Sequence, residues 1–439
     1  MILAHAGSRL FTVLVNHDDL DRPARLWSLV DRIEEFHYST DLEKLLQLLT
    51  TLGPAPNIKV LTLAPRHMDT EMEEQSIPLV LLPIIFSGCL PSLREVALRN
   101  TIVGFAGVFK DLISFECCVL LPHSIHPAHV LETFRASPSI ECIRFVCHCS
   151  IPPTFNPPPV TLQSLRECTV GGRGTTSLIR FMIIPPSAKV FLHKQYEGAP
   201  FPMFEDLSVV PKLHVLDEVS AASFSINDFA VSLRAKNDQG GVLKATADGV
   251  RNVSQDGFSH FVRSFLESGS TCPGFKTAKE LVLDVDRDRI FDSQQSISFA
   301  IDVLRLIRNL PNVEKAKLLG VPPLELFSIL EYLSGADEVE VPWRNLRRLY
   351  IESTPTTPPK TLLVGLDNVL RQRNMSGAPL QYLGVRVESE TALPVTRDCV
   401  FLTLLEGRVE GEVSLENGRF TDKGLLGRRR RGFEGEDDF

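Results

Sequence analysis

The sequence lacks the features that mark secreted, membrane-spanning and nucleic-acid-binding proteins. Residues 1–9 show no basic start followed by a long apolar run, so they do not form a secretory signal. The most apolar stretch, 77–86, contains prolines and is too short to span a bilayer. The chain has 46 Lys and Arg against 54 Asp and Glu, a net charge of -8. Because phosphate binding needs a basic face, we expect neither nucleic acid nor membrane among its partners.

The chain also lacks an even cysteine framework and the motifs of several large enzyme classes. Its 9 cysteines stand singly or in short clusters, which is typical of reduced thiols in a cytoplasmic or nuclear protein. It contains no Gly-x-Ser-x-Gly, no His-Glu-x-x-His and no kinase motif. We therefore predict that the protein is not an enzyme, with no catalytic residue, no cofactor and no bound metal.

One short pattern recurs along the chain instead: an apolar residue, another three positions later, and a third two positions after that. The clear copies are Ile33/Phe36/Tyr38, Ile58/Leu61/Leu63, Leu93/Val96/Leu98, Ile140/Ile143/Phe145, Leu165/Cys168/Val170, Ala278/Leu281/Leu283, Val313/Ala316/Leu318, Leu346/Leu349/Ile351 and Leu380/Leu383/Val385. Weaker copies are Leu112/Phe115/Cys117 and Ser187/Val190/Leu192.

This spacing has a definite structural meaning. The last two apolar residues alternate with polar ones, so they share one face of a short strand, and the first packs beneath the strand as the chain approaches it. This is the Leu-x-x-Leu-x-Leu pattern of leucine-rich repeats. The residues between point outward and would line a concave face. On this geometry we choose Arg94, Arg144, Arg347 and Tyr350 as candidate protein-binding residues.

Segments with helical period lie between the predicted strands. They are centred on Leu42–Leu49, Val130–Phe134, Phe258–Leu266, Ile297–Ile307, Leu324–Leu330 and Leu362–Leu370. Strand, turn and helix in alternation predict an α/β leucine-rich-repeat-like solenoid, a horseshoe with irregular repeats, a parallel sheet inside and helices outside. A doubly wound sheet also alternates strand and helix, but its strands would be apolar on both faces. Charged residues such as Arg94, Lys315 and Arg347 within the predicted strands favour the solenoid.

We predict three parts of the chain: a cap region at 1–29, a degenerate solenoid at 30–417, and a charged disordered tail at 418–439. Within the solenoid, 194–250 is less periodic and forms an insert. There Val231/Leu233 and Val242/Leu243 predict a hairpin-like pair of strands. The tail carries a basic run, Arg428–Arg431, which is either a nuclear import signal or inert.

Two segments suggest a metal site and an anion site, but each has a simpler structural interpretation. Cys142, Cys147, His148 and Cys149 resemble a metal cluster, but Cys147-x-Cys149 is too close for a standard zinc knuckle, which favours core or rim thiols. The loop Gly171–Thr176 follows a predicted strand and precedes a helix, a place for an anion. It lacks the lysine and spacing of a phosphate-binding loop, which favours a plain turn.

Three runs resemble a known family: Leu90–Val96, Leu162–Cys168 and Trp343–Leu349 are similar to the repeats of F-box/leucine-rich-repeat proteins expanded in mushroom-forming fungi. So is the helix end Arg371–Asn374 with the following Gly377–Leu380. The resemblance covers roughly 8–415 and implies that the repeats select a substrate for a cullin-type ubiquitin ligase. In that family an N-terminal F-box docks on a Skp-type adaptor.

An F-box opening, Leu-Pro-x-Glu followed by apolar helical residues, does not precede the first predicted repeat at Ile33. We therefore expect a Skp-type adaptor as a partner only if an F-box is supplied elsewhere, and interpret the chain as a truncated product or a repeat protein that has lost the module. The leading hypothesis is a scaffold that binds a protein partner. The alternatives are a hydrolase or transferase on an α/β fold without a recognisable motif, and a structural remnant without a partner.

Overall fold

The computed structural model describes part of the 439-residue chain. The described residues are 10–15, 30–39, 53–64, 81–82, 86, 89–99, 102–103, 109–119, 125–147, 149, 151, 154–172, 175–195, 213–226, 230–248, 273–285, 293–335, 341–354, 359–388 and 400–418. Residue contacts divide the chain into two compact units, which are described separately. The N-terminal unit comprises Met1–Ala199, Met203–Asp217 and Lys236–Gly249, and the C-terminal unit comprises Pro200–Pro202, Glu218–Ala235 and Val250–Phe439.

The described residues form a mixed α/β fold with many strands and few helices. The strands are β1 (Phe11–Val15), β2 (Ile33–Tyr38), β3 (Val60–Leu63), β4 (Leu81–Leu82), β5 (Glu95–Arg99), β6 (Ile102–Val103), β7 (Ser114–Cys118), β8 (Cys142–Val146), β9 (Val160–Thr161), β10 (Glu167–Gly171), β11 (Met182–Ile183), β12 (Lys189–Gln195), β13 (Val219–Ile226), β14 (Ala230–Asn237), β15 (Val242–Asp248), β16 (Glu280–Val285), β17 (Lys315–Val321), β18 (Arg348–Ser353), β19 (Tyr382–Glu388) and β20 (Glu412–Gly418). The α-helices are α1 (Pro127–Arg135), α2 (Ser293–Arg308), α3 (Pro323–Ser334), α4 (Pro359–Met375) and α5 (Val400–Glu406).

The sheet of the N-terminal unit is a parallel ladder whose strands follow the order of the chain. The order is β1-β2-β3-β5-β7-β8-β10-β12-β15, and each neighbouring pair is parallel. Two short parallel pairs, β4 with β6 and β9 with β11, lie outside this sheet. The register aligns equivalent residues of the repeats: Val96 lies beside Phe115, and Phe115 lies beside Ile143.

The C-terminal unit repeats this arrangement with helices between its strands. Its order is β14-β13-β16-β17-β18-β19-β20, and the pairs from β13 through β16 to β20 are parallel. The helices α2, α3, α4 and α5 alternate with β16 to β20 along the chain. Because parallel crossovers are right-handed and the order of β16 to β20 does not reverse, these helices are expected to cover the same face of the sheet.

Burial within both units follows the repeated apolar pattern. All three residues of each clear copy are at least nine-tenths buried, from Ile33/Phe36/Tyr38 to Leu380/Leu383/Val385, and so are those of the weaker copy at Leu112. The copy at Ser187 is wrong in its first position: Ser187 is exposed and Ala188 is buried in its place. The turn before β12 is one residue shorter, since the amide of Ala188 donates to Pro185 O at 3.1 Å and the strand begins at the next residue.

A common turn precedes most of these strands. The amide of the first apolar residue donates to the carbonyl three residues earlier, as from Leu93 to Leu90 O (3.2 Å) and from Ile140 to Ser137 O (3.1 Å). The residue after this first apolar position has a carbonyl that accepts hydrogen bonds from two amides of the following repeat. Lys59 O accepts from Arg94 and Glu95, and Arg347 O accepts from Gln381 and Tyr382. The strands β5, β7, β8, β10, β17, β18 and β19 are therefore each fixed to the preceding strand at the same point.

The helix predictions that fall on described residues coincide with helices. Val130–Phe134 lies in α1, Ile297–Ile307 in α2, Leu324–Leu330 in α3 and Leu362–Leu370 in α4, although Ile301 and Leu324 are exposed. The segments at Leu42–Leu49 and Phe258–Leu266 and most of the tail lie outside the described residues. In the predicted insert, Val231 and Leu233 lie on β14 and Leu243 on β15, joined by a turn at 238–241. No helix in the described part of the chain has the length and apolarity needed to cross a bilayer.

Candidate functional site

The strand residues that alternate with the buried rows form the second face of each sheet, which we call the open face. In the N-terminal unit a register row on this face joins Ala97, Glu116, Arg144, Thr169 and Phe191 on five successive strands. Arg144 is exposed and the other four are partly exposed. The parallel ladder thus presents a column of unlike side chains at the spacing of neighbouring strands, roughly 4.8 Å.

Arg144 stands on this face beside a small polar cluster. Its register partner Glu116 is engaged by Arg99, with Nε at 2.9 Å from Oε1. The thiol of Cys118 donates to the same carboxylate oxygen at 3.8 Å. Among the described residues, Arg144 itself forms no ion pair or hydrogen bond through its side chain. Its guanidinium is therefore available for a partner molecule.

The cluster does not activate its cysteine. Burial and the charge of Glu116 raise the pKa of Cys118 above its ordinary value of 9.0, and the opposing charges of Arg144 and Arg99 do not reverse the shift. Cys118 is therefore protonated at neutral pH, and a thiol in that state is a poor nucleophile. The open face here can form ion pairs and hydrogen bonds.

Arg94 and Arg347 lie in the turns before their strands, and neither is a strand residue. Arg94 precedes β5, and its Nη1 donates to Leu93 O (3.1 Å) and Asp111 O (3.3 Å), so its side chain follows the edge of the sheet. Arg347 precedes β18 and is exposed. Arg94 and Arg144 lie in repeats separated by β7, so the structure does not place them on adjacent strands.

Tyr350, the fourth candidate, lies on β18 in the open face of the C-terminal unit. Its register neighbours are Lys317 on β17 and Gly384 on β19. A Cβ placed on Gly384 would lie 2.6 Å from Cδ2 of Tyr350 and 3.0 Å from the hydroxyl of Tyr382. The two tyrosine rings therefore converge in the space that Gly384 leaves open.

The candidates chosen from the sequence do not include Tyr382 or Arg348, which lie on the same face as Tyr350. Both are the second residue after the first apolar position of their repeat, Leu380 and Leu346, and they are register neighbours. The signal was present, because that position points to the same face as the residue two further on. The choice of Arg347 came one residue too early.

The cysteine and glycine segments have structural roles in the part of the chain that is described. Cys142 is exposed on β8, whereas Cys147 and Cys149 are buried, which fits the expectation of core or rim thiols. Cys149 donates to Ile125 O at 3.2 Å, and burial raises its pKa to about 12. Among the described residues, which exclude His148, no group of three or more His, Cys, Asp or Glu side chains is placed to hold a metal ion. The amide of Gly172 donates to His193 O at 3.2 Å, so it is not free for an anion.

Comparison with known proteins adds no assignment to this geometry. No protein-family model matches the chain, and neither a curated protein nor a solved structure matches it significantly.

Proposed function

We propose that this protein is a protein-binding repeat scaffold, and that each unit is a leucine-rich-repeat-like solenoid whose open face is the binding surface. The observation that carries the proposal is the parallel ladder in chain order, buried on one face and polar on the other. Each repeat contributes outward side chains at a fixed register, as Glu116, Arg144 and Thr169 do. Such a surface suits extended protein recognition.

The topology also counts against the doubly wound alternative. Doubly wound sheets bind ligands in a crevice where the strand order reverses, and both faces of the sheet are covered by helices. Within the described strands of β1 to β12 and of β16 to β20 the order does not reverse. Arg144 and Arg348 are exposed at mid-sheet, where a covering layer would bury them. An α/β hydrolase or transferase draws no support from the described residues.

We further propose that the scaffold resembles the substrate-recognition region of F-box proteins of cullin-type ubiquitin ligases. Support comes from the runs at Leu90, Leu162 and Trp343, which all form the same turn and strand approach. A Skp-type adaptor would join the complex only through an F-box on another segment or chain.

The experiment is a quantitative affinity capture from the cells that express the protein. Wild type is compared with Arg144→Glu and Tyr350→Ala on the open face, and with Ile301→Glu and Val364→Glu on exposed helix positions. Proteins lost with the open-face variants and retained with the helix variants support a recognition surface. If no captured protein depends on the open face, the scaffold proposal fails. If neither Skp nor cullin is recovered, the ligase role alone is removed.

A further inference from the structure

The connection between β8 and β10 contains an exposed run of prolines. Pro157, Pro158 and Pro159 follow Asn156 and precede Val160, where β9 begins. Asn156, Pro158 and Pro159 are exposed, Pro157 is partly exposed and Val160 is buried. We call Asn156–Pro159 the proline run. It lies in the N-terminal unit and is not part of the strands that form the open face.

The backbone of the proline run is restricted to the polyproline II conformation. A proline ring fixes φ near about −65°, and a residue that precedes proline is held in the extended region. Asn156, Pro157 and Pro158 each precede a proline, so both restrictions act together on Pro157 and Pro158. Residues 155–159 accordingly form neither helix nor strand. The sequence therefore builds roughly one turn of a polyproline II helix, which has about 3 residues per turn.

The burial of the proline run follows this period of three. Pro157 and Val160, which are three residues apart, are the partly buried and the buried members of one edge. Pro158 occupies a second edge, and Asn156 shares the third edge with Pro159; these three residues are exposed. One edge of the turn therefore faces the protein, and the prolines of the other two edges are open to another molecule.

Contacts on both sides hold the proline run in place. The ring of Phe155 packs edge-to-face against the ring of His126, which precedes α1, and against that of Phe181, with centroid distances of 5.9 and 5.3 Å. Nη2 of Arg135, the last residue of α1, donates to Pro158 O at 2.7 Å. Because the run is already ordered, a partner that binds it loses little conformational entropy.

The proline run offers hydrogen-bond acceptors and few donors. Prolines have no N–H group, so the run cannot extend the β9–β11 pair as a strand. Within the described part of the chain, the carbonyls of Asn156 and Pro157 accept no hydrogen bond. The run therefore combines uncharged rings with free acceptors, which suits aromatic side chains that carry a donor, the indole N–H of tryptophan and the hydroxyl of tyrosine.

From this geometry we propose that the proline run binds a partner domain with an aromatic-lined groove of the kind that recognises polyproline II segments. Such grooves bind the preformed helix in SH3, WW and EVH1 domains. Aromatic rings of the groove pack on Pro158 and Pro159, and its donors bind the free carbonyls of the run. Because the run is not part of the open face, this inference goes beyond the proposed function and adds a second kind of protein partner.

The test is a set of titrations on the full-length protein. A panel of purified SH3, WW and EVH1 domains, each labelled with a fluorophore, is titrated with wild type and followed by anisotropy. We expect a domain of the panel to bind and a synthetic decaproline peptide to displace it. The double variant Pro158→Ala with Pro159→Ala should weaken binding about tenfold or more. Arg135→Ala should weaken it about threefold, because the run loses an anchor.

Two control variants keep the result specific. Pro138→Ala replaces a single exposed proline in the turn before β8, and Arg144→Glu reverses a charge on the open face; both should leave the affinity unchanged. The circular dichroism spectrum of each variant checks its folding. Raised salt should have little effect, since the run carries no charge.

Three results would overturn the proposal. The first is that no domain of the panel binds at concentrations up to about 1 mM. The second is that the double proline variant binds as tightly as wild type, or that decaproline does not compete. The third is that Arg144→Glu abolishes binding, because the domain would then occupy the open face. The first two leave the cell-extract capture on the open face free to succeed, so the two proposals fail separately.

Discussion

The two units build the same ladder of strands from repeats of different length. From β5 to β12 of the N-terminal unit, the register-equivalent residues Glu95, Ser114, Cys142, Glu167 and Lys189 are 19 to 28 residues apart, although Val60 and Glu95 before them are 35 apart. In the C-terminal unit, Glu280, Lys315, Arg348, Tyr382 and Glu412 are 30 to 35 apart. The longer repeats hold α2, α3 and α4, and the described part of the shorter ones holds α1 and 3-10 turns. The strand and its approach therefore set the fold, and the connector is free to vary.

The units also differ in how they fix an irregular turn. In the C-terminal unit, Arg373 at the end of α4 is fully buried and donates to the carbonyls of Pro342 (3.0 Å), Trp343 (2.9 Å) and Leu346 (3.3 Å) in the turn before β18. In the N-terminal unit, the side chain of Asn237 holds the turn before β15 from within. A helix residue therefore braces the turn from outside in the C-terminal unit, whereas the side-chain amide of Asn237 stabilises the turn from within in the N-terminal unit.

The substitution Arg373→Ala tests this difference between the units with the largest expected effect. We expect the free energy of unfolding of the C-terminal unit to fall by about 3 kcal/mol, because buried carbonyls lose their donors. Urea unfolding in a Trp27→Phe background reports it through Trp343, since the chain has 2 tryptophans. Arg371→Ala is the control, because Arg371 is exposed and, within the described part of the chain, pairs with Asp367 alone, at 2.7 Å. Equal losses for the two variants would contradict the bracing role.

Asn237→Ala is the counterpart in the N-terminal unit. Its amide donates to Pro186 O (2.8 Å), and its oxygen accepts from Gly241 N (2.8 Å). We expect a loss of about 2 kcal/mol, smaller than for Arg373 because the group is uncharged. Hydrogen exchange at Gly241 measures it. Asn237→Asp should retain protection at Gly241 while losing the bond to Pro186, and Asp238→Ala should leave the rate unchanged.

A smaller effect tests whether the two ladders are equivalent. Asn57 and Asn312 stand immediately before the first apolar residue of their repeats and donate to the turn of the preceding repeat, to Asp31 O and to Lys276 O. Asn57→Ala and Asn312→Ala should each lower the free energy of unfolding by about 1 kcal/mol, and the two losses should be similar. Chemical unfolding measures both. Ser139→Ala, at the same position without such a bond, should change nothing; unequal costs for the two asparagines would show that the ladders differ.

The smallest expected effect is a pH dependence confined to the C-terminal unit. Burial raises the pKa of Asp367, but hydrogen bonds from Arg371 and Arg408 and their charges outweigh it, so the pKa lies below its ordinary 3.8. A lowered pKa stabilises the fold above the ordinary value, and this stabilisation is lost as the pH falls below about 4. We expect a loss of less than about 1 kcal/mol. Unfolding curves of wild type should show it, and those of Asp367→Asn should not.

The strand repeats were predictable from the sequence because burial imposes a spacing of three and then two. The polar residue before the triad was also readable, since Asn57 and Asn312 occupy the same position. The strands β1, β13 and β20 were missed. In β20, Val413 and Leu415 fill the two strand positions of the pattern, but the residue three positions before Val413 is Glu410, so the apolar triad is incomplete.

The candidate surface was only partly predictable. Arg144 and Tyr350 do lie on strands in the open face, but Arg94 and Arg347 lie in the preceding turns. A shift of one residue at the start of a strand decides whether a side chain lies on the open face or in the preceding turn. The apolar spacing alone does not tell which of the two neighbouring residues lies on the face. The burial of Arg373 was not predictable either, because arginine is typical of surfaces and its carbonyl partners lie 27 to 31 residues away.

The doubly accepting carbonyl before β5, β7, β8, β10, β17, β18 and β19 has a consequence for how such a gene can change. Lys59 O, Arg94 O, Glu314 O and Arg347 O offer the same acceptor to the next repeat, whatever connects them. An in-frame duplication or loss of one whole repeat would join two ends that already fit. The number of repeats, and with it the length of the surface, can therefore drift across generations without a new junction having to arise.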